Sequence, residues 1–191
     1  MEARHWPQVR AIYEAGIATG NATFATQVAR GQGWNKAHLP HSRLVALHPS
    51  GRVLGWAALV PVPEQGYPPG VAAIQVYVAS AAQVQGIGRV LLTALVAASE
   101  AHGIWTLLAV VFPENQAMQR LGQSAGFRVA GRYARIGQLH GIWRDTVVLE
   151  RRSAVVGTAD TSPLPVSRPL SAVTPHNVRN TMGRVTLTHT G

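Results

Sequence analysis

Hydrophobic positions along the chain fall into stretches of helical spacing and stretches of strand-like spacing. Apolar side chains recur three or four residues apart over residues 6–18, which predicts a helix. Apolar and polar residues alternate over 71–79, whereas residues 104–112 are almost all apolar, so both stretches predict strands. The other predicted elements are strands at 43–48, 53–62, 127–136 and 142–151, a loop at 137–141, helices at 86–102 and 116–125, and a short helix through Trp34. This order predicts an α/β domain with a mixed sheet.

The composition of the chain changes after Arg152. Residues 154–191 contain no aromatic residue, few aliphatic residues and many turn formers. We therefore predict one folded domain over 1–153 and a disordered C-terminal tail over 154–191. The tail is interpreted as a linker without a function of its own, with a partner-binding tail as the alternative.

Composition and charge narrow the class of protein. The chain has 191 residues, of which 47% are hydrophobic, and it has no cysteine. That apolar content excludes disorder throughout, and the lack of cysteine excludes a disulfide scaffold and a thiolate metal site. No stretch reaches the roughly 20 apolar residues of a transmembrane helix. The first residues carry no apolar signal segment, so we expect a cytoplasmic protein that does not enter membranes. The net charge of +9 favours an acidic partner, such as an anionic cofactor, an acidic metabolite or nucleic acid.

The segment 83–89 carries the clearest chemical signal. It follows a predicted strand and opens a helix, whose first amide groups lack partners within the helix and carry partial positive charge. Gly86 and Gly88 let the backbone approach an anion closely, and Arg89 adds a formal charge. The segment therefore predicts a pyrophosphate cradle; the alternative is a loop whose glycines only turn the chain. Leu91 replaces the third glycine of a dinucleotide-binding fingerprint, and no Gly-Lys-Ser/Thr follows as in a Walker loop.

The spacing Gln83-x-x-Gly86-x-Gly88 resembles the acetyl-CoA signature of the GCN5-related N-acetyltransferases (GNAT), Q/R-x-x-G-x-G/A. Further motifs resemble one subgroup, the phosphinothricin acetyltransferases, and follow in order at 19–24, 76–78, 112–115, 125–127 and 141–145. The resemblance covers residues 5–152. It implies a single GNAT-like domain, with a mostly antiparallel sheet that is splayed at the central strand and flanked by helices.

The resemblance also implies an activity. Such a protein is an N-acetyltransferase that uses acetyl-CoA as co-substrate and needs no metal. The acetyl group passes by direct attack to the amine of a small amino-acid-like molecule, of the phosphinothricin or methionine sulfone and sulfoximine type. A homodimer is expected only as a habit of the family. The residues implied to contact acetyl-CoA are Val76, Tyr77 and Val78 along the pantetheine, Val84, Gln85, Gly86, Ile87, Gly88 and Arg89 around the pyrophosphate, and Asn115 on the pantetheine arm.

Several positions depart from the subgroup pattern, and they concern the catalytic base and the binding charges. The glutamate that serves the subgroup as base is Ala73 here. Compared with the subgroup's phosphate loop, residues 83–86 lack two positive charges. The segment 64–69 also lacks the arginine that the subgroup has there, which is suited to a substrate carboxylate. His140 is the first candidate for a replacement base, since imidazole titrates near neutral pH; the alternative is a histidine on a surface turn. Glu114 is a second candidate, with a cap of the following helix as its alternative.

Two other functions compete with acetyl transfer. A catalytically degenerate GNAT-fold protein, acting as a binding or regulatory module, would explain the lost base and the lost loop charges. Nucleic-acid binding would use the basic excess, but the arginines are scattered and lack an interleaved aromatic platform, so it is not expected. The histidines show no metal-ligand spacing, and no metal site is expected.

Overall fold

A computed structural model of the chain describes residues 1–62 and 69–158. These ranges contain the predicted folded domain, apart from the segment 63–68. The predicted tail lies outside the described residues from position 159 onward, so its disorder stays a prediction.

Six strands form one sheet within the described residues. They are β1 (Leu44–Leu47), β2 (Val53–Pro61), β3 (Val71–Val78), β4 (Thr106–Val111), β5 (Arg128–Leu139) and β6 (Ile142–Arg152). Their order across the sheet is β1-β2-β3-β4-β6-β5, and all neighbours are antiparallel except β3 and β4. The α-helices of this part of the chain are α1 (Trp6–Ala18), α2 (Gly31–Ala37), α3 (Ile87–Ala101) and α4 (Gln116–Ser124). The predicted α/β class with a mixed, mostly antiparallel sheet is confirmed.

Helices cover both faces of the sheet. Successive strand residues point to opposite faces, so β2 sends Leu59 toward α3 and Trp56 toward α1 and α2. Leu92 of α3 and Leu149 of β6 join Leu59, whereas Trp34 of α2 joins Trp56. Full burial of each such side chain contributes about 1.5–3 kcal/mol to the stability of the fold. Within residues 1–62 and 69–158, no helix is long and apolar enough to cross a membrane.

The sheet opens at its centre, between β3 and β4. Their parallel pairing ends at Ala73 and Leu108. Beyond that point β3 stays paired with β2, and β4 stays paired with β6 as far as Val111. The two halves of the sheet therefore diverge while each remains intact, which is the splay that the family resemblance implies.

The β5–β6 hairpin differs from the sequence prediction. The predicted loop at 137–141 is wrong, because β5 continues to Leu139 and only His140 and Gly141 stand between the strands. Both turn residues have positive φ, 49° and 79°, as a two-residue hairpin turn of this kind requires. Gly137 pairs with Arg144 and lies against the Phe24 ring. The strand therefore continues through a glycine that the sequence analysis assigned to a loop.

Candidate active site

The divergence of β3 and β4 opens a cleft of about 730 Å³. Its walls come from residues of both strands, from the loop between α1 and α2, from the loop before α3, and from α4. Segments from much of the described chain therefore form the cleft, and the strands of the sheet form its base.

Backbone groups of β3 face the cleft. The Ala79 N–H donates to the Leu54 carbonyl at 2.9 Å. Alternate residues of an antiparallel strand direct their backbone groups to the same neighbour, so Tyr77 also bonds toward β2. Val76 and Val78 direct their N–H and C=O groups the other way, where β4 has moved off. These unpaired groups are available to a ligand that extends the half-sheet by one strand.

The N-terminus of α3 closes one end of the cleft. Gly86 is its N-cap, with φ 79° and no capping side chain, so the amides of the first turn stay free. Arg89 lines the cleft, and Arg120 of α4 lines it as well. Val84 in the preceding loop is fully exposed and has φ 61°, a left-handed value that is strained for a β-branched residue. Both arginines and the helix terminus give this end of the cleft positive charge.

Most of the predicted acetyl-CoA residues come together in the cleft. Those that line it are Val76, Tyr77, Val78, Val84, Gly86, Gly88, Arg89 and Asn115. Gln85 and Ile87 belong to the same loop but are not among the lining residues. Arg120 was missed by the sequence analysis, because a single arginine within a helical pattern carries no signal of its own. No cluster of three or more His, Asp or Glu suited to a metal ion occurs in the described ranges.

Asn115 holds two walls of the cleft together. Its Oδ1 accepts from the Met118 N–H at 3.1 Å and caps α4, and its Nδ2 donates to the Asn21 carbonyl at 3.2 Å. The alternative for Glu114, a helix cap, is therefore wrong, since its neighbour does the capping. Glu114 instead lies 3.1 Å from the Arg144 guanidinium. A backbone N–H and Arg144 both lower the pKa of this carboxyl, which keeps it ionised.

One face of β3 carries Ala73, Gln75 and Tyr77 into the cleft on the side of α1. The ring of Tyr77 lies 4.8 Å from that of Tyr13. Burial raises the pKa of both phenols, and the Thr23 hydroxyl interacts with each of them. These groups are uncharged near neutral pH, so this wall offers hydrogen bonds without formal charge.

A buried histidine stands behind Gln75. The His38 Nδ1 lies 2.6 Å from the Trp34 carbonyl oxygen, and its Nε2 lies 3.0 Å from the Gln75 Oε1. The imidazole stacks on the Trp34 ring, with the ring centroids 3.9 Å apart. Burial lowers the pKa of His38, and the positive charge of Arg43 lowers it further. The sequence analysis did not find this pair, because 37 residues separate its members along the chain.

Thr146 of β6 brings an unused hydroxyl to the cleft. The residue is 1% exposed and lines the cleft, and its Oγ1 has no hydrogen-bond partner among the described residues. A buried polar group left without a partner costs about 1–3 kcal/mol. Because the Oγ1 is shielded from solvent, this cost falls on the folded state.

The structure places His140 in a different cleft. This second cleft, of about 650 Å³, lies between the C-terminal half of α1, the loop that follows α1, and the β5–β6 turn. Its polar lining includes Arg10 and Glu14, which form an ion pair at 2.8 Å. His140 is not among the residues that line the cleft between β3 and β4. Its role as a base stays a prediction.

Comparison with known families matches the chain to one of them. Residues 10–127 match the acetyltransferase (GNAT) family. The match begins within α1, ends after α4, and includes the divergence of β3 and β4 and the loop before α3.

Individual relatives cover most of the chain. The L-methionine sulfoximine/L-methionine sulfone acetyltransferase of Pseudomonas aeruginosa is 29% identical over 150 residues, which are 75% of this chain and 87% of that protein. The solved structure of a ribosomal-protein-alanine N-acetyltransferase from Brucella melitensis superposes with a TM-score of 0.74 at 26% identity, over 80% of this chain and 97% of that one. A phosphinothricin acetyltransferase from Sinorhizobium meliloti, solved with acetyl-CoA, shares the fold, with a TM-score of 0.75 at 22% identity over 84% of this chain and 89% of that one.

Proposed function

The chain belongs to the acetyltransferase (GNAT) family, and on that premise we propose that it transfers the acetyl group of acetyl-CoA to the amine of a small amino-acid-like molecule. The observation that carries the proposal is the parting of β3 and β4 beyond Ala73 and Leu108, which leaves unpaired backbone groups in the middle of the sheet. The similarity to the methionine sulfoximine and sulfone acetyltransferase supports the class of acceptor.

The residues of the cleft fit acetyl-CoA in shape and charge. The unpaired backbone groups of Val76 and Val78 can bond to the amides of the pantetheine as an added strand does. The free amides that follow Gly86 suit the pyrophosphate, and the helix dipole adds to their attraction. Arg89 and Arg120 supply two positive charges at that end of the cleft. The loop before α3 lacks the two further positive charges that the subgroup pattern has at 83–86.

The chemistry needs no covalent intermediate on the protein. The nitrogen of the neutral amine attacks the thioester carbonyl carbon; a C–N bond forms and the C–S bond breaks. The proton that leaves the nitrogen ends on the coenzyme A sulfur, so the products are an N-acetyl amide and a free thiol. Backbone N–H groups on β3 stabilise the oxygen as it gains negative charge.

The cleft lining has no carboxylate and no histidine among its described residues. We therefore propose that the amine reaches the cleft after losing its proton to solvent. General base assistance contributes typically 10²–10⁴-fold, so an enzyme without it is slow but active. His140 remains the candidate base of the sequence analysis, although it lines the second cleft.

Calorimetric titration of acetyl-CoA into the full-length protein tests the binding half of the proposal. We expect saturable binding, weakened about tenfold in Arg89→Gln and in Arg120→Gln. Arg52→Gln is the matched control, because Arg52 is exposed on the β1–β2 turn, outside the cleft lining. Absence of binding by the folded wild-type protein would overturn the proposal and favour a degenerate member of the family.

Release of free coenzyme A thiol tests the catalytic half. L-methionine sulfone, L-methionine sulfoximine and phosphinothricin serve as the amine probes. We expect thiol release above the rate of acetyl-CoA hydrolysis with at least one of them, together with the N-acetyl product in the mass spectrum. Tight acetyl-CoA binding without any amine-dependent release would contradict the acceptor class.

A further inference from the structure

We infer that Gln75, held by His38, is the positioning residue that orients the acceptor amine for attack. The inference rests on the proposed acetyl transfer and deepens it, since it assigns a role to the wall of the cleft that faces the acceptor. It starts from the two contacts of His38, one with the Trp34 carbonyl and one with the Gln75 amide.

The first contact fixes where the imidazole proton lies. A backbone carbonyl can only accept a hydrogen bond, so the His38 Nδ1 carries the hydrogen that it donates to Trp34 across 2.6 Å. His38 is 6% exposed, and burial disfavours its cationic form. In the neutral ring Nε2 then has a lone pair and must accept.

The second contact follows from the first. The structure places the Gln75 Oε1 3.0 Å from this Nε2. Two acceptors do not bond, and a 180° flip of the side-chain amide exchanges its oxygen and nitrogen, so we assign the Gln75 NH₂ group to this contact. The carbonyl oxygen of the Gln75 amide is thereby turned away from His38, and Gln75 lines the cleft. With the amide assigned in this way, the oxygen has no partner among the described residues, so it is left as an acceptor for a ligand N–H.

The position of Gln75 matches that role. It lies two residues beyond Ala73, where β4 has begun to diverge, and on the same face of β3 as Ala73. The unpaired backbone groups of Val76 and Val78 face the gap beside it. An amine that donates to the Gln75 oxygen is therefore held next to the part of the cleft that fits the thioester.

The hydrogen bonds run in one direction along the chain of groups. The amine N–H donates to the Gln75 carbonyl, the Gln75 NH₂ donates to His38, and His38 donates to the Trp34 carbonyl. Each bond polarises the next and strengthens it. No proton is transferred along this chain; the groups orient the nitrogen lone pair toward the thioester carbon.

Protonation of His38 reverses the last link. An imidazolium donates from both nitrogens, so the Gln75 amide must turn its oxygen to His38 and present its NH₂ group to the cleft. A donor there repels the N–H of the amine. Among the described residues, Arg43 is the charged group that faces His38. The other side chains that pack against the imidazole are uncharged: Trp34 of α2, Trp56 of β2 and Gln75 of β3. The cation opposes protonation, so acceptor orientation is lost only at acid pH.

The first test uses NMR and needs no activity. We expect the ¹⁵N signals of His38 in the full-length protein to show the Nδ1–H tautomer near neutral pH. Gln75→Leu keeps the volume but removes the partner, and it should shift the Nε2 resonance and the titration of His38. Gln85→Leu is the matched control, because Gln85 lies outside the cleft lining and bonds to the Ala81 carbonyl. An Nε2–H tautomer in the wild-type protein would overturn the inference.

The second test uses kinetics with L-methionine sulfone as the amine. Gln75→Leu should lower kcat/KM for the amine by about tenfold or more, while the Kd of acetyl-CoA stays unchanged. His38→Phe keeps the aromatic stack on Trp34, and it should likewise lower kcat/KM for the amine without changing the Kd of acetyl-CoA. In the wild-type protein the plot of log kcat/KM against pH should steepen from a slope of about one to about two below the pKa of His38, because the amine and His38 both protonate. In Gln75→Leu the slope should stay near one.

The outcomes separate the two proposals. Amine-dependent thiol release that is equal in wild-type protein and Gln75→Leu overturns the role of Gln75 and leaves the proposed function standing. Saturable acetyl-CoA binding with no thiol release by the wild-type protein overturns the acceptor class, and this inference with it.

Discussion

Ala73 and Leu108 are the last residues that β3 and β4 hold in parallel register. The gap between the two strands opens beyond this pair. The family resemblance in the sequence analysis implies that Ala73 replaces the subgroup's glutamate, and a carboxylate at this position would lie where the strands begin to diverge, on the same face as Gln75.

Restoring that carboxylate should speed acetyl transfer. We expect Ala73→Glu to raise kcat/KM for the amine by about tenfold or more, because a general base contributes typically 10²–10⁴-fold. Ala73→Gln has nearly the same volume without the charge and is the control, measured by the same thiol release. Equal rates for the two variants would show that position 73 does not meet the amine.

Thr146→Val should leave the fold intact and stabilise it. The Oγ1 of Thr146 is buried without a partner in the described structure, so its removal relieves about 1 kcal/mol of desolvation. For a domain of this size that corresponds to a rise in Tm of about 2–4 °C. Thr146→Ser keeps the hydroxyl and loses a methyl group, and should lower Tm. A fall in Tm for Thr146→Val would mean that the hydroxyl is already satisfied in the free protein.

Val84→Gly should be neutral or stabilising, unlike other changes of valine to glycine. A left-handed φ costs a non-glycine residue about 1–2 kcal/mol, which exceeds the chain entropy that glycine adds. Val90→Gly is the matched control: Val90 is also exposed but lies within α3, where glycine should cost about 0.5 kcal/mol. Chemical denaturation compares the two. Equal losses would show that the loop before α3 adopts another conformation in solution.

Stability at low pH should depend on Glu100. Its carboxylate lies 3.0 Å from the Arg151 guanidinium and accepts from the Ser153 hydroxyl at 2.8 Å. Partial burial opposes ionisation, but these two partners outweigh it, so the pKa of Glu100 falls below its ordinary value of 4.5. A lowered folded-state pKa stabilises above the unfolded pKa, and that contribution is lost as the pH falls through the folded value. The stability difference between wild type and Glu100→Gln should therefore be largest near neutral pH, begin to shrink as the pH falls to about 4.5, and vanish only below the lowered folded-state pKa. A difference that is constant with pH would contradict the ion pair.

His140→Gln should change kcat/KM for the amine little, because His140 lines the second cleft with Arg10 and Glu14. The acid limb of the pH profile should persist in this variant. A loss of about 10²-fold or more, with the acid limb removed, would instead establish His140 as the base that the sequence analysis favours.

The sequence predicted the regular elements well where apolar periodicity was strong. α1, β3, α3 and α4 lie within two residues of their predicted ends, since each has a clear buried face and a glycine or proline at its boundary. The end of β5 was missed because Gly137 reads as a turn residue. Its pairing with Arg144 of β6 places it in the strand, where it lies against the Phe24 ring.

The cofactor side of the site was predictable and the acceptor side was not. The loop at 83–89 is local, so its glycines and arginine carry the signal in one stretch of sequence. The role of Gln75 depends on its contact with His38, and that of Arg120 depends on the position of α4 beside the cleft. Such pairs depend on the tertiary fold, and no spacing along the chain encodes them.

The hydrogen bond from Asn115 to the Asn21 carbonyl has a consequence for synthesis of the protein. It joins residues 94 positions apart, and Arg144 reaches the Gly20 carbonyl from 124 positions away. The wall between α1 and α2 thus cannot be completed until the ribosome has released β6. A nascent chain that already carries the whole loop at 83–89 still lacks the enclosure around it. The complete cleft therefore forms only after β6 has been synthesised, and a ligand that binds it stabilises the folded state alone.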